Sequence, residues 1–490
     1  MQDDRAEHVQ GDTPRVEGAV RSAFIWNFVT LAFAQVVLAA IFLMLASRLD
    51  PATFGIFALA SVITDVFYAL GTAAAVDAIV QRQDFSRRTL SSITWAMSGI
   101  CIVMTVIFCA AAPFYASAMG APRVAGALEV LTLSTLMLPF VIGPTAIMRQ
   151  KLDVKALALI NMAASLLGGG AALIVSFTPA VEWSLVVQRL VMTFTFVLMA
   201  TVRTRLTPDL VMDREQVRNW MSGASRIFAG QGIASITPRL ADVFTGAFFG
   251  ATAVGYLRVA TRLSDLLMGF LINPVSQLWV TLMSRQTAST EARQAVFLQL
   301  TNLTALVALP GFVGLALTSN EVVGLVLPRE YAPVAGPLAV LCLLGVFVPL
   351  TNPRNLLFTA LKRFNYLIWF SALDLVATAL CMGVMARFGP VIMLGAGAFT
   401  SIIMIMFALP LILRDLKLPP TEVASHLLPP YVAVAAMAGC VIAAGPLLAT
   451  LPAIDALLIK IVIGVVSYSG VLMAFFRASV MQALRAVAAR

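Results

Sequence analysis

Apolar runs long enough to cross a membrane take up most of this sequence and leave little of it for anything else. A helix needs about 20 mostly apolar residues to span the hydrocarbon core of a bilayer. Fourteen segments meet that requirement: 23–47, 54–80, 89–112, 124–148, 155–177, 182–202, 223–249, 254–283, 295–318, 335–361, 365–386, 391–413, 430–450 and 456–476. Barrel strands would alternate apolar and polar residues over about ten positions, and these runs do not. The expected fold is an all-α polytopic membrane protein with 14 transmembrane helices. Composition agrees: 60% of residues are hydrophobic and 12% charged, against about 45–50% apolar and about 25% charged in soluble domains. So little charge cannot cover a water-facing surface. A soluble enzyme, a disordered chain and a secreted disulfide scaffold are excluded. The five cysteines lie inside apolar stretches and read as buried thiols. His8 and His426 have no Cys or carboxylate neighbours at ligand spacing, so neither a metal nor a cofactor is expected.

A net charge of +9 would suit a nucleic-acid partner, but the basic residues sit in short loops between apolar spans. With the N-terminus in the cytoplasm, 22 Lys and Arg fall in cytoplasmic segments and four, Arg48, Arg123, Arg329 and Arg387, in external loops. Cytoplasmic loops carry such an excess as a rule. A missed or extra helix would invert the bias downstream, and it never inverts, so both termini are expected in the cytoplasm. The positive charge is a topology signal, and no nucleic acid is expected. Residues 1–21 are polar and of mixed charge, and the run from Ala23 is too long for a signal-peptide core, so no cleavable signal is expected.

The chain also repeats itself. Val254-Gly255-Tyr256-Leu257-Arg258-Val259-Ala260-Thr261-Arg262-Leu263-Ser264-Asp265 follows Phe54-Gly55-Ile56-Phe57-Ala58-Leu59-Ala60-Ser61-Val62-Ile63-Thr64-Asp65 at an offset of 200, with Gly, Ala and Asp in register. Val334-Ala335-Gly336-Pro337-Leu338 answers Val124-Ala125-Gly126-Ala127-Leu128, and Pro349 answers Pro139, at an offset of 210. Six spans separate the partners in both cases. An even shift gives two halves of the same orientation, and transporters built that way tend to hold their site between the halves. The expected organisation is an N-terminal tail (1–22), an N-lobe of spans 1–6 (23–202), a cytoplasmic linker (203–222), a C-lobe of spans 7–12 (223–413), and two further spans with a C-terminal tail (414–490).

The external loops are short and offer isolated charges only, Asp50, Glu182, Glu321, Glu330 and Asp455. A membrane glycosyltransferase would need a loop with grouped acid–base residues. No GxxxxGK[ST] phosphate loop occurs. Gly168-Gly169-Gly170 reads as close helix packing. Ionisable residues within spans cost at least about 2.5–3.5 kcal/mol each and mark functional candidates by default. The densest group lies on spans 7 and 8: Arg239, Asp242, Arg258, Arg262 and Asp265. Arg258 and Arg262 are four apart and share one helix face. Two guanidinium forks on one face suit a pyrophosphate, since arginine gives bidentate, charge-assisted bonds to phosphate oxygens. Arg354 on span 10 joins the binding candidates, and Asp65, Asp242, Asp265 and Asp374 are candidates for ion coupling or for pairing with arginine. The competing reading for Arg258 and Arg262 is that their long stems snorkel to the interface.

Three stretches carry a resemblance to a known family: Leu49-Asp50-Pro51-Ala52-Thr53-Phe54-Gly55 with Ala78-Ile79-Val80-Gln81-Arg82; Val254-Gly255-Tyr256-Leu257-Arg258-Val259-Ala260-Thr261-Arg262-Leu263; and Tyr331-Ala332-Pro333-Val334-Ala335-Gly336-Pro337-Leu338. Over roughly residues 20–415 the chain resembles the polysaccharide transporters (Wzx-like oligosaccharide flippases) of the MOP flippase superfamily. It departs from that pattern at Leu257 and Thr261, where the family carries aromatic residues. The resemblance implies a MATE-like fold of two pseudo-symmetric six-helix lobes around a central cationic cavity, with two extra C-terminal helices beside it. It implies alternating access that carries undecaprenyl-pyrophosphate-linked oligosaccharide from the cytoplasmic to the outer leaflet of the bacterial inner membrane. The implied partners are that lipid-linked oligosaccharide, membrane lipid, and polysaccharide polymerase and export machinery. Two relatives of the same fold stay open, a lipid II flippase and a cation-coupled multidrug antiporter; the latter favours a carboxylate-led cavity, which the arginines oppose.

Overall fold

The computed structural model describes residues 35–82, 85–151, 153–285, 290–360, 363–448 and 450–477. The expected tails, 1–22 and the end of the chain from 478, lie outside the described residues, as does the start of the first expected span. Within them the chain is helical, with α1 (Gln35–Ala46) followed by α2 (Pro51–Arg82), α3 (Arg87–Ala118), α4 (Arg123–Leu136), α5 (Leu138–Gln150), α6 (Val154–Ser176), α7 (Ser184–Thr204), α8 (Arg214–Arg285), α9 (Thr290–Leu317), α10 (Ser319–Val326), α11 (Ala335–Leu344), α12 (Val348–Ala360), α13 (Phe364–Met385), α14 (Pro390–Leu416), α15 (Pro420–Leu448) and α16 (Ala453–Phe475).

Local chemistry sets the ends and breaks. Ser86 caps α3 by accepting from Thr89 N, and Asp153 caps α6 by accepting from Ala156 N, each satisfying one of the helix's orphan amide donors. One expected span, 124–148, is two helices, α4 and α5, bent by 42°. Pro139 sits in the first turn of α5, where its missing N–H costs no hydrogen bond. The expected spans 7 and 8 form one run, α8, interrupted at Gly250, whose φ of 81° and ψ of 175° are not helical. That region is open essentially to glycine alone. Among the described residues, eleven helices are long and apolar enough to cross a membrane, or twelve with the bent pair as one span. The run Ser235–Ser276 counts once there although Gly250 breaks it into the expected spans 7 and 8, and the described part of the first span, Gln35–Ala46, is short, so the count stays below the expected fourteen.

Helices α2 to α7 pack among themselves, as do α9 and α11 to α14, and α8 touches both groups. Gly168 of α6 packs against the backbone of Gln188 on α7 and Gly169 against Ile41, while Gly170 faces open space. Helices α15 and α16 pair and lean on α9. Tyr431 and Tyr468 pin them by donating to the carbonyls of Val346 and Leu306 at 2.6 and 3.0 Å, and Lys460 on α16 pairs with Glu321 on α10. The outer surface is apolar, as on α3, where Ile102, Val103, Val106 and Ile107 are exposed, and on α16, where Val462, Val465 and Val466 are. In water such a belt would be unfavourable at about 25 cal/mol per Å²; in lipid it costs nothing. The chain is a multi-pass membrane protein.

The most extensive helix contact joins α2 to α8. Its centre is a backbone-on-backbone crossing of the two glycines that share the 200-residue offset. A Cβ at Gly55 would lie 1.7 Å from the carbonyl oxygen of Ala251, and one at Gly255 would lie 1.8 Å from that of Pro51. Both positions therefore require glycine. Pro51 and Ala251 carry the same offset, so the contact is reciprocal and a local twofold passes between the glycines. Beside it, Tyr331 of the 3-10 turn Arg329–Val334 is fully buried and donates to Leu49 O at 2.7 Å. Phe54 packs edge-on between Phe42 and Tyr331.

Candidate functional site

Ten residues along α2 from the glycine crossing, roughly 15 Å at 1.5 Å per residue, Asp65 projects from the helix between the two helix groups. Its Oδ1 lies 3.0 Å from Arg189 Nη2 on α7, and its Oδ2 lies 3.2 Å from Arg239 Nη2 on α8. Arg239 and Asp242 stand three apart on α8, with Nη1 and Oδ2 separated by 3.9 Å. Asp242 in turn lies 3.0 Å from Nη2 of Arg258. In a straight helix Asp242 and Arg258 would sit about 24 Å apart. The break at Gly250 turns the second half of α8 back, and that turn closes the gap.

The result is one chain of charges: Arg189, Asp65, Arg239, Asp242, Arg258. The Asp242 side chain is 7% exposed and that of Asp65 15%, with the three arginines at 24–28%. Single charges at such depth would be costly, and pairing offsets much of that. Compensation is incomplete, however. Three guanidinium groups face two carboxylates. Arg258 Nη2 is close to Asp242 but not aligned with it as a hydrogen bond, and both Nη2 and Nε of Arg258 are buried donors with no hydrogen-bond partner among the described residues. Leaving a buried charged donor unsatisfied costs more than about 1–3 kcal/mol, and an anion with several acceptor oxygens would relieve that cost. Tyr68 lies beneath Arg189, 5.0 Å from guanidinium carbon to ring centre, and Tyr115, which donates to Leu59 O at 3.1 Å, lies near Asp242.

The other candidates divide. Arg262, one turn beyond Arg258, is half-buried, and the exposed Asp265 lies in the electrostatic field of Arg262, Arg258 and Arg239. Asp65 is thus held by two arginines while its repeat partner Asp265 is exposed at the edge of the group. Arg354 belongs elsewhere. It sits on α12 in the second helix group, 5.3 Å from the ring centre of Phe370, with Asp374 and Thr378 of α13 beside it. It lines a cavity with Phe297, Thr301 and Met404. The structure therefore brings together Arg239, Arg258, Asp65 and Asp242, places Arg262 and Asp265 at their edge, and puts Arg354 and Asp374 apart. Arg189, which the sequence offers only as an ionisable residue within span 6, joins the site, as do Tyr68 and Tyr115. An arginine in the middle of span 6 was the one available signal.

Residues 44–336 match the family model described as polysaccharide biosynthesis protein. The chain belongs to that family. The match takes in every member of the charge chain, together with Arg262 and Asp265, and ends before Arg354 and Asp374. Among relatives, this family member is 22% identical over 330 residues to the lipopolysaccharide biosynthesis protein WzxC of Escherichia coli (strain K12), covering 65% of each chain. It is 20% identical over 289 residues to the teichuronic acid biosynthesis protein TuaB of Bacillus subtilis (strain 168), covering 58% of this chain and 60% of that one. It spans less than two thirds of the length of either relative. Its fold is that of the lipid II flippase MurJ in an inward closed conformation, at a TM-score of 0.76 and 13% identity, over 92% of this chain and 99% of the other.

Proposed function

We propose that this family member is a flippase that translocates undecaprenyl-pyrophosphate-linked oligosaccharide repeat units across the bacterial inner membrane by alternating access. The observation that carries the reading is the arginine-rich charge chain between the helix groups, with its surplus guanidinium and the unsatisfied donors of Arg258. In this reading the lobes are 23–202 and 223–413, both termini and the 203–222 linker face the cytoplasm, and no catalytic step is involved. Arg239, Arg258 and Arg189 take the pyrophosphate oxygens, and Arg262 extends the same face. Asp65 and Asp242 hold these arginines while the site is empty. An arriving pyrophosphate competes with them for the same N–H groups, so binding loosens the ties between α2, α7 and α8 that hold the lobes in register. That is a direct coupling of occupancy to movement, since a ligand shifts a conformational equilibrium by its differential affinity for the two states. Arg354 and Asp374 act within the C-lobe, apart from the pyrophosphate. A polymerase and export machinery are the expected downstream partners.

A transport assay or pathway complementation, with membrane expression measured in parallel, tests this. Arg258→Lys keeps the charge but loses the fork, and should lower transport by about tenfold, the effect of one lost hydrogen bond to a charged group at about 1.5 kcal/mol. Full transport by Arg258→Ala would reject the binding role. The second reading, a lipid II substrate, is favoured by the fold match over nearly all of MurJ. It is decided by which of the two pathways the chain complements.

A further inference from the structure

The segment between α7 and α8 is polar in sequence, yet it is held rigidly and presents large apolar side chains outward. Arg87 of α3 pairs with Asp209 at 3.0 Å and donates to Thr207, and Arg88 pairs with Asp213 at 3.1 Å. The amides of Asp209 and Asp213 each donate to a serine hydroxyl, of Ser91 and Ser92, at 2.9 Å. Leu206 is buried at the base of the strap. Between these clamps Leu210 is 89% exposed and Met212 62%. A strap fixed this firmly had every opportunity to turn those side chains inward.

Trp95 fixes where they point. Its indole N–H donates to Asp209 O at 2.8 Å. On α3 the face of Trp95 continues through Gly99, Ile102 and Val106, the last three exposed, and that stripe is part of the apolar belt. Ile102 lies seven residues on, about 10 Å along the helix. Trp95 therefore stands at the rim of the belt, where tryptophan concentrates in membrane proteins, and Leu210 stands beside it. Around the strap, Arg205, Arg214 and Arg218 are exposed together with the single carboxylate Glu215, a net excess of two positive charges, whereas Arg87, Arg88 and Arg203 are taken up by carboxylates.

We propose that this strap is a docking edge for anionic phospholipid of the adjoining leaflet: Leu210 and Met212 enter the acyl region, and Arg205, Arg214 and Arg218 hold the phosphodiester headgroup. Charge complementarity selects the occupant. The apolar pair alone would accept any lipid, while three arginines with no carboxylate partner among the described residues favour a headgroup of net negative charge. Each basic residue near an anionic leaflet favours association by about fivefold. The strap also joins α7 to α8, so a lipid held there fixes the connection between the two helix groups.

The test uses the full chain, labelled with a fluorophore at Leu210→Cys, in phosphatidylcholine vesicles carrying a small fraction of chain-labelled quencher lipid. Quenching by labelled phosphatidylglycerol should exceed that by labelled phosphatidylcholine several-fold. The R205Q/R214Q/R218Q variant should bring the ratio to one, and R205K/R214K/R218K should keep it. A label at Val465→Cys, 60% exposed on α16, should be quenched equally by both lipids in every variant and is the reference for correct insertion. Equal quenching by the two lipids in the parent chain, or a ratio that the glutamine variant leaves unchanged, overturns the proposal. So does a Leu210 label that neither lipid quenches, which would make the strap a water-facing surface.

Discussion

Asp65 on α2 meets Arg239 on α8 at 3.2 Å, and with its other oxygen it holds Arg189 on α7 at 3.0 Å. One carboxylate thus ties three helices across the boundary between the helix groups.

Removing it should be felt in stability before transport is considered. Asp65→Asn leaves two half-buried guanidinium groups facing each other and should cost about 3 kcal/mol, the low end for breaking one side of a buried pair. The expected readout is a lower melting temperature in detergent. Asp65→Arg should be worse, and Asp65→Glu, which keeps the carboxylate, should retain a substantial part of the stability. A melting temperature for Asp65→Asn equal to that of the parent chain would show that this carboxylate does not tie the helices.

Gly250 should be intolerant of any side chain. Its φ of 81° with ψ of 175° strains other residues by about 1–3 kcal/mol, and the bend there is what brings Arg258 to Asp242. Gly250→Ala should therefore lower both stability and transport. Gly99→Ala, at a site with no atom within 4 Å of the added carbon, should be silent in both assays.

The glycine crossing predicts matched effects from distant positions. Gly55→Ala and Gly255→Ala both drive a methyl group into a backbone carbonyl, and no rotamer change relieves that clash. Transport should fall strongly, and by a similar factor, in both, with expression retained in at least one. Normal transport by either would mean that α2 and α8 part at this point without consequence.

Topology has its own check. Cysteines placed at Arg205 and Lys417 should react with an impermeant maleimide only after the membrane is opened, and those at Arg329 and Arg387 in intact cells. Reversal at any one of the four would break the charge-bias assignment.

The helices were legible because each must bury its own backbone hydrogen bonds in a run of apolar residues, and that requirement is written locally. The pairing of Arg239 with Asp242 was legible for the same reason, being three residues apart on one helix. Arg189 and Asp65 are 124 residues apart, and no periodicity links them; only packing does. Arg354 looked like its fellow arginines because a one-dimensional reading gives depth along a helix but not the direction it faces. The break at Gly250 divides the run Ser235–Ser276 where the sequence reads spans 7 and 8. The 200-residue offset had a physical counterpart that sequence likeness did not announce: the two glycines it aligns touch each other.

The charge chain has three guanidinium groups and two carboxylates, so the empty site carries a formal surplus of one positive charge at depth. On the proposed flippase reading, a doubly ionised pyrophosphate diester bound there turns that surplus into one negative charge. An elementary charge moved through 100 mV of membrane potential exchanges about 2.3 kcal/mol with the field. In that reading, with the cell interior negative, the voltage favours outward movement of the loaded site's net negative charge and inward return of the empty site's positive charge.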